Sequence, residues 1–542
     1  MRLFELIYKF IVEILLVSIF IFFLLIFFQY RGGDFGIFEL ANWRYVHLSD
    51  ASENIKNAFF LAKGGKLNEY ATSNHMPGLY LYLSLFFSVL PKTLLLNSLG
   101  NGIFIIVLSS FITIFTIVGL SFFSISLMLR DNQVSLFFKV CFCLILLHLL
   151  MSFDYFRVLS ETYLPFFQLT YLSLFSYYLG NRKERFGYLV SAHYVIGLSI
   201  FFGLTNLFTD FIFFSFFFCF LVRDFRKIRI KHFVPAILLL IFILIKSGKL
   251  DFHYWIIETN KAQGLGSGLE MFKTVLGNAF FWPKNWYELN AFGPIYDHRV
   301  LVIILGFVAI MLNRKNPPLV LLLSLAIFVL PLDSWRIPEQ GNIWISQSYK
   351  TDVNMGICFF YLLVIADKGK GLFVRILPIG LPKFNIKIEK VFFKFGFLVI
   401  SILCVFQILS YLTNFIEFEK FVVLDHSTLL IEKNICKQKF NKQNTNCSCL
   451  SLMYWDQEFF LFNDAKPCPN QFSSYSPHLN SDDHYYNTVK SSFLDHNGAF
   501  LLKHSDLYSD KSIVSPRLIE VFRSGQCEEV SKDRLFLCRK IK

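Results

Sequence analysis

The sequence predicts a polytopic α-helical membrane protein with a small domain outside the membrane at its C-terminal end. Three observations carry this prediction: 55% of the residues are apolar, only 17% are charged, and the mean hydropathy is +0.51. A soluble domain of ordinary composition has about 25% charged residues. Apolar runs recur along the chain that reach the roughly 20 residues needed to cross ~30 Å of hydrocarbon.

We predict eleven membrane spans. The first apolar run, Ile11 to Phe28, exceeds the ~7–15-residue apolar core of a secretory signal and has no small-residue cleavage site after it, so we expect it to be retained. The predicted spans cover about residues 8–28, 101–128, 135–153, 161–180, 188–205, 209–222, 232–247, 299–312, 317–332, 351–366 and 391–412.

The net charge of +13 is concentrated in short loops between these spans. The basic clusters lie at 182–185, 223–231, 314–315 and 368–390. An excess of Lys and Arg in short loops marks the cytoplasmic side, so we interpret the charge as a topology signal rather than a nucleic-acid surface. Eleven spans with a cytoplasmic N-terminus place every cluster in the cytoplasm. Counting the short run Leu79 to Leu90 as a span would reverse the later loops, so we expect a helix in the outer membrane interface there.

This topology divides the chain into a transmembrane domain, 1–412, and an extracytoplasmic domain, 413–542. The transmembrane part has two long outward loops, 29–100 and 248–298. In the C-terminal domain, short apolar stretches predict strands at Ala499–Leu502, Leu518–Phe522 and Leu535–Leu537, in a small α/β or mostly-β fold. The layout fits the bacterial inner membrane, with the C-terminal domain in the periplasm.

The C-terminal domain holds six of the eleven cysteines. An even set confined to one outward domain predicts disulfides in an oxidising compartment. Sequence alone does not choose among the pairings, although Cys527 with Cys538 across a hairpin is favoured. A metal site is the alternative, but no Cys-x-x-Cys pair is present. The six are Cys436, Cys447, Cys449, Cys468, Cys527 and Cys538.

Acidic, basic and aromatic residues gather in the outward loops. An acid, a cation and aromatic rings on one side of a membrane suit a sugar donor linked to a lipid phosphate: the cation binds the phosphate, the carboxylate takes a proton from an acceptor hydroxyl, and a ring packs on the sugar. Asp154, Arg157 and Glu161 share one helix face by their spacing. Taken alone, each residue is better explained as a solvated helix end, so the hypothesis depends on the group as a whole. The candidates are Asp50, Glu53, His75, Asp154, Arg157, Glu161, Lys249 and His253.

The first outward loop carries the most specific pattern. Ser49-Asp50-Ala51-Ser52-Glu53 is followed by Gly64-Gly65 and then by His75-Met76-Pro77-Gly78-Leu79-Tyr80. A second short loop, Phe153-Asp154 through Tyr163, leads into an acid-headed span. This order resembles the GT-C superfamily of membrane glycosyltransferases, in particular the glycosyltransferase family 39-like group of protein O-mannosyltransferases and aminoarabinose transferases.

The resemblance covers about residues 8–250, and the chain departs from it in two places. The resemblance puts Asp50 at the position of the family's acid about fifteen residues before the glycine and implies that Asp50 deprotonates the acceptor hydroxyl. The family's paired acids are spread out as Asp50 and Glu53, which leaves the base open between them, and its second proline is Gly78. The resemblance implies a polyprenyl-phosphate-linked monosaccharide as donor and a periplasmic glycan, lipid or protein as acceptor. It implies no obligatory metal. His75, Arg157, Lys249 or His253 would stabilise the leaving phosphate, with Asp154 and Glu161 contributing to substrate binding.

Other functions predict different sequence features. Cys447-Ser448-Cys449 in an outward domain resembles the bactoprenol-linked glucosyltransferases that modify O-antigen, which would narrow the acceptor to lipopolysaccharide. A transporter or lipid flippase predicts internal repeats and ionisable residues at mid-membrane, and we find no repeat. An O-antigen polymerase or ligase predicts key arginines in late loops, where Arg299 and Arg336 are the candidates. A non-catalytic scaffold is the remaining alternative.

Overall fold

A computed structural model gives the fold as a helical bundle and a small β-sheet. The described residues are 8, 10–22, 49–66, 76–96, 98–129, 160–180, 185–203, 206–247, 298–329, 355–367, 449–452, 486–487, 490, 498–503, 516–531 and 535–539.

The helices follow the apolar runs of the sequence. Nine of the eleven predicted spans overlap described helices, and the other two, 135–153 and 391–412, lie outside the described residues. By length and apolarity, one described helical stretch, Phe104–Leu129, is long enough to cross a membrane. The helices are α1 (Phe10–Phe22), α2 (Ser49–Ala62), α3 (Gly78–Phe87), α4 (Leu99–Leu129), α5 (Ser160–Gly180), α6 (Phe186–Phe202), α7 (Leu207–Arg223), α8 (Val234–Ser247), α9 (His298–Asn313), α10 (Pro317–Phe328), α11 (Met355–Asp367) and α12 (Pro516–Arg523).

Helix α5 is the centre of the bundle. Its side chains from Thr162 to Phe175 are buried on every side, as expected for a helix that is apolar all round. It packs against α4, α6 and α10. The start of α11 also approaches α5 closely, because Gly356 has no side chain: a Cβ there would lie 2.2 Å from the Pro165 carbonyl oxygen. The side-chain oxygen of Gln168 accepts a hydrogen bond from the backbone N–H of Ile357 at 3.1 Å, which satisfies one of the free donors of the α11 N-terminus.

The C-terminal end of α5, the start of α6 and the turn after α7 lie together at one end of the bundle, which we call the basic end. The Tyr178 hydroxyl of α5 donates a hydrogen bond to Asp224 at 2.9 Å, just after α7. The Phe186 ring of α6 contacts the His232 ring. The backbone carbonyl of His232 accepts a hydrogen bond from the Tyr194 hydroxyl. Arg185, the described residue of the predicted cytoplasmic cluster 182–185, and the cluster 223–231 therefore border the same end, which is consistent with the predicted topology.

Helices α2 and α3 lie at the opposite end, which we call the α2 end. Helix α3 has ten residues and a length of ~15 Å, half of what a span needs. The prediction of a short, non-spanning helix agrees with this length. However, seven of its ten residues are buried, because α3 packs between α2 and α6 rather than lying free on a surface.

The C-terminal residues form a four-stranded sheet with the order β1-β2-β4-β3. Strands β1 and β2 are parallel, and the other two pairs are antiparallel. The strands predicted at Ala499–Leu502 and Leu535–Leu537 are confirmed, and Cys527 lies directly opposite Cys538 in the register. The disulfide between these two cysteines stays a prediction. The strands are β1 (Cys449–Leu452), β2 (Gly498–Lys503), β3 (Gln526–Ser531) and β4 (Leu535–Arg539).

The strand predicted at Leu518–Phe522 is wrong, because these residues lie in helix α12. Apolar residues recur there at three- and four-residue intervals, which places Ile519 and Phe522 on one buried face. Pro516 begins the helix at a position where the missing N–H costs nothing. The described part of 413–542 therefore contains a helix as well as strands, as the α/β alternative predicts.

Candidate functional site

The candidate catalytic carboxylates lie on one helix at the α2 end. Helix α2 spans fourteen residues, with Asp50 in its first turn and Glu53 in the next. The Glu53 side chain is 1% exposed. The backbone N–H groups at a helix N-terminus favour negative charge, so both positions suit a carboxylate electrostatically.

Glu53 shares its buried surface with other polar residues, which is unusual for a helix inside an apolar bundle. Lys56 follows one turn later and is 4% exposed, and Asn54 and Asn57 are buried as well. Burial lowers the pKa of Lys56 to about 8, while the nearby Glu53 carboxylate works in the opposite direction. A buried acid and a buried base thus lie one helical turn apart, and the lysine remains charged at neutral pH.

The Gly64-Gly65 pair ends α2 and has a structural role. Gly64 has a φ of 91°, a left-handed conformation that favours glycine. Its N–H donates to the Leu61 carbonyl at 3.2 Å, and the Gly65 N–H donates to the Phe60 carbonyl at 2.9 Å, which is the Schellman arrangement. The spacing from Asp50 to Gly64 in the sequence is therefore the length of a helix that begins at the acids and ends at the glycines.

The ammonium group of Lys246 joins α8 to this end of α2. Its Nζ donates a hydrogen bond to the Leu61 carbonyl at 3.2 Å. A cation at a helix C-terminus is favoured by the helix dipole. The contact fixes the C-terminal end of α8 at the α2 end, in agreement with the predicted topology.

Gly78 allows α3 to approach α6 closely. A Cβ at this position would lie 2.4 Å from the Phe201 carbonyl oxygen and 2.8 Å from the Phe202 ring. A proline here, as in the resembling family, would meet the same backbone. The departure from the family motif is therefore explained by the packing of α3 on the end of α6.

An aromatic cluster lies behind α3, formed by Tyr82, Tyr163, Phe167 and Phe202. Tyr163 is centred 5.3 Å from Phe202 and 6.2 Å from Tyr82, and Phe167 is 5.0 Å from Phe202. Tyr82 hydrogen-bonds Thr116 of α4, and its burial raises the pKa of its hydroxyl. The cluster therefore joins α3, α4, α5 and α6 at the α2 end.

A second buried carboxylate, Asp210, lies in the first turn of α7. It is fully buried, and its Oδ1 accepts a hydrogen bond from the Tyr171 hydroxyl at 3.0 Å. The neighbouring Asn206 is also fully buried, and within the described part of the chain its amide has no hydrogen-bond partner. Sequence reasoning missed Lys56 and this pair, although an Asp inside an otherwise apolar run was the available signal for Asp210.

The structure describes only part of the predicted site. Asp50 and Glu53 lie on α2, and Glu161 lies in the first turn of α5, but the side chains of Asp50 and Glu161 are not among the described ones. Five candidates lie outside the described residues altogether: His75, Asp154, Arg157, Lys249 and His253. Among the described residues, no three His, Cys, Asp or Glu side chains form a group that could hold a metal ion.

Comparison with known proteins gives one structural likeness. The crystal structure of ArnT from Cupriavidus metallidurans bound to undecaprenyl phosphate is similar, with a TM-score of 0.46 and 12% identity over 98% of each chain. No protein-family model matches the chain, and no curated protein does. A likeness at this level assigns neither a family nor an activity, so the function must be inferred from the residues themselves.

Proposed function

We propose that the chain is an integral membrane glycosyltransferase that moves a monosaccharide from a polyprenyl-phosphate donor to a glycan, lipid or protein acceptor. The observation that carries this proposal is the burial of Glu53 and Lys56 on α2, in the loop whose motifs resemble the GT-C superfamily. Burying an acid and a base costs several kcal/mol unless each is compensated, so a purely structural helix gains little from them.

In the proposed reaction, a carboxylate of α2 removes the proton from an acceptor hydroxyl. The hydroxyl oxygen then attacks the anomeric carbon of the sugar, and the bond from that carbon to the lipid phosphate oxygen breaks. Polyprenyl phosphate leaves with the bonding electrons, and one direct displacement inverts the anomeric centre. The base is Asp50 or Glu53, and the amide variants of the two acids decide between them.

The remaining candidates would hold the substrates. Arg157, His75, Lys249 and His253 are the proposed ligands of the leaving phosphate, because positive charge stabilises the anion that develops there. Asp154 and Glu161 are the proposed contacts to the sugar. A phosphate that leaves as a stable anion needs no metal ion, so none is included. We place the reaction on the periplasmic face of a bacterial inner membrane, with the N-terminus in the cytoplasm and 413–542 in the periplasm.

Two alternatives give different results in the same assays. An O-antigen glucosyltransferase would restrict the acceptor to lipopolysaccharide. A flippase for lipid-linked sugars would move the donor without releasing polyprenyl phosphate. Release of polyprenyl phosphate by the purified full-length chain, given donor and acceptor, therefore separates an enzyme from a flippase.

The direct test is mass analysis of surface glycans, lipids and proteins from a deletion strain complemented with variants. Wild type restores the missing product. Replacing the true base by its amide, as Glu53→Gln or Asp50→Asn, is expected to lower transfer by about 10²–10⁴-fold. Lys66→Gln, an exposed position just beyond α2, is the matched control and keeps full activity.

Two results would contradict the proposal at different points. Complementation by both amide variants, at wild-type membrane levels, would overturn the assignment of the base to α2. An unchanged profile of glycans, lipids and proteins on deletion would overturn the enzyme itself.

A further inference from the structure

Among the described residues, the segment that links α7 to α8 is the most strongly charged exposed surface that the proposed reaction does not use. Residues 223–231 contain five Lys and Arg residues and one acid, Asp224. Arg223, Arg226, Arg229 and Lys231 are exposed. Of the five cations, Lys227 is the one that forms an ion pair within the described part of the chain, with Asp224 at 3.0 Å.

The segment is ordered by contacts to the bundle. It forms two short 3₁₀ turns, Phe225–Lys227 and Ile230–His232. Asp224 accepts hydrogen bonds from Tyr178 at 2.9 Å and from Lys227 at 3.0 Å. Burial works to raise the pKa of Asp224, but these hydrogen bonds and the nearby Lys227 and Arg223 charges lower it overall. One acid among five cations leaves the segment strongly positive.

The second turn is fixed in the same way. The backbone N–H of Arg229 donates to the His232 ring at 3.0 Å, and the His232 carbonyl accepts a hydrogen bond from Tyr194 of α6. Four cations are thus presented from a backbone that is already in place. A preordered site loses less entropy on binding a ligand than a loose loop does.

Large apolar side chains are interleaved with these cations and are also exposed. The exposed fraction is 67% for Phe225, 84% for Ile230 and 52% for Phe233. A site for a soluble polyphosphate or for nucleic acid has no use for exposed aliphatic side chains. The mixture of cations and apolar groups fits a lipid with an anionic headgroup. The cations contact the phosphate, and the apolar side chains contact the adjoining part of the acyl chains.

We propose that residues 223–233 form a binding site for the headgroups of anionic phospholipids. Arg226, Arg229 and Lys231 contact the phosphates, while Ile230 and Phe233 enter the lipid boundary. The basic turn at Arg314-Lys315 serves as a comparison. It also joins two helices of the bundle, but it carries two cations only, as a topology signal alone requires. The proposal needs the chain to lie in a membrane and does not depend on glycosyl transfer.

The test is a titration of the detergent-purified full chain with three probes. Short-chain phosphatidylglycerol carries the charge and the acyl chains, short-chain phosphatidylcholine carries the chains without net charge, and glycerol 3-phosphate carries the charge without chains. Wild type is expected to bind phosphatidylglycerol most tightly. Because each Lys or Arg near an anionic lipid surface strengthens the attraction, Arg226→Gln/Arg229→Gln/Lys231→Gln is expected to weaken that binding about a hundredfold.

The matched control is Arg314→Gln/Lys315→Gln, which removes charge from the other turn and keeps the wild-type affinity. The thermal midpoint without lipid verifies folding, since the substituted side chains are exposed. Equal binding of phosphatidylglycerol by wild type and the triple variant would overturn the proposal. An equal loss of phosphatidylglycerol affinity in the control would show a general charge effect. Binding of glycerol 3-phosphate as tightly as phosphatidylglycerol would show an anion site rather than a lipid site. Either result overturns the proposal.

Discussion

The two ends of α7 each place a carboxylate against a tyrosine of α5, in opposite environments. At the α2 end, Asp210 is fully buried and accepts from Tyr171. At the basic end, Asp224 is reached by solvent and accepts from Tyr178 and Lys227. The same pair of residue types thus serves as a buried polar contact at one end and as a surface tether at the other.

This difference extends to the cations of the two ends. Lys56 is buried one turn from Glu53 at the α2 end, whereas Arg226, Arg229 and Lys231 are exposed at the basic end. A charge removed from water costs several kcal/mol, while an exposed one costs little. We therefore expect substitutions at the α2 end to change stability and reaction, and substitutions at the basic end to change interactions with the surrounding lipid.

The largest effect is expected at Lys56. The pKa of this buried amine is about 8, against 10.5 for a free lysine, so between these two pH values the unfolded chain binds more protons than the folded one. Stability then rises with pH across that window, by about 3 kcal/mol in total. We expect the wild-type thermal midpoint in detergent to rise between pH 8 and 10 relative to Lys56→Met, which lacks the amine.

Lys66→Met is the control for this experiment. Lys66 is exposed, so its substitution removes a lysine without removing a buried charge. If the thermal midpoints of wild type and Lys56→Met change in parallel with pH, Lys56 is accessible to water. The proposed difference between the buried and the exposed cations would then be wrong at this residue.

The next effect is expected at Gly78. Gly78→Ala brings a methyl group against the Phe201 carbonyl oxygen, so α3 must move away from α6. Overpacking of this kind costs about 1–3 kcal/mol. Gly197→Ala, on α6 itself, meets nothing within 4 Å and is expected to stabilise the helix by up to about 1 kcal/mol. Opposite signs in the two thermal midpoints check the close approach; a neutral Gly78→Ala would contradict it.

The fold was predictable wherever a long apolar run dominates its neighbourhood. The runs at 161–180 and 188–205 became α5 and α6 because no competing structure buries that much apolar surface. Leu518–Phe522 was too short for this argument: five apolar-rich residues suit a strand or one buried helix face, and packing against β3 and β4 selected the helix.

The site was less predictable because it depends on burial rather than on residue type. The acids of α2 stand out in the sequence, but nothing local distinguishes Lys56, which is buried, from Lys66, which is exposed. Their difference arises from the packing of α2 on α3 and α4. Gly78 is a second example, because the backbone that leaves no room for a side chain there is at Phe201, more than one hundred residues later in the sequence.

The last prediction compares the two tyrosine–carboxylate pairs directly and includes the smallest expected effect, at Tyr178. Tyr171→Phe leaves the carboxylate of Asp210 short of a donor in a buried site and is expected to cost about 1–3 kcal/mol. Tyr178→Phe removes the same hydroxyl from Asp224, which keeps Lys227 and solvent, and is expected to cost about 0.5 kcal/mol or less. Tyr188→Phe, a partly exposed tyrosine whose contact to Tyr177 is through its ring, gives the baseline. Thermal midpoints of the three variants should rank in that order, and equal losses at Tyr171 and Tyr178 would mean that burial does not separate the two ends of α7.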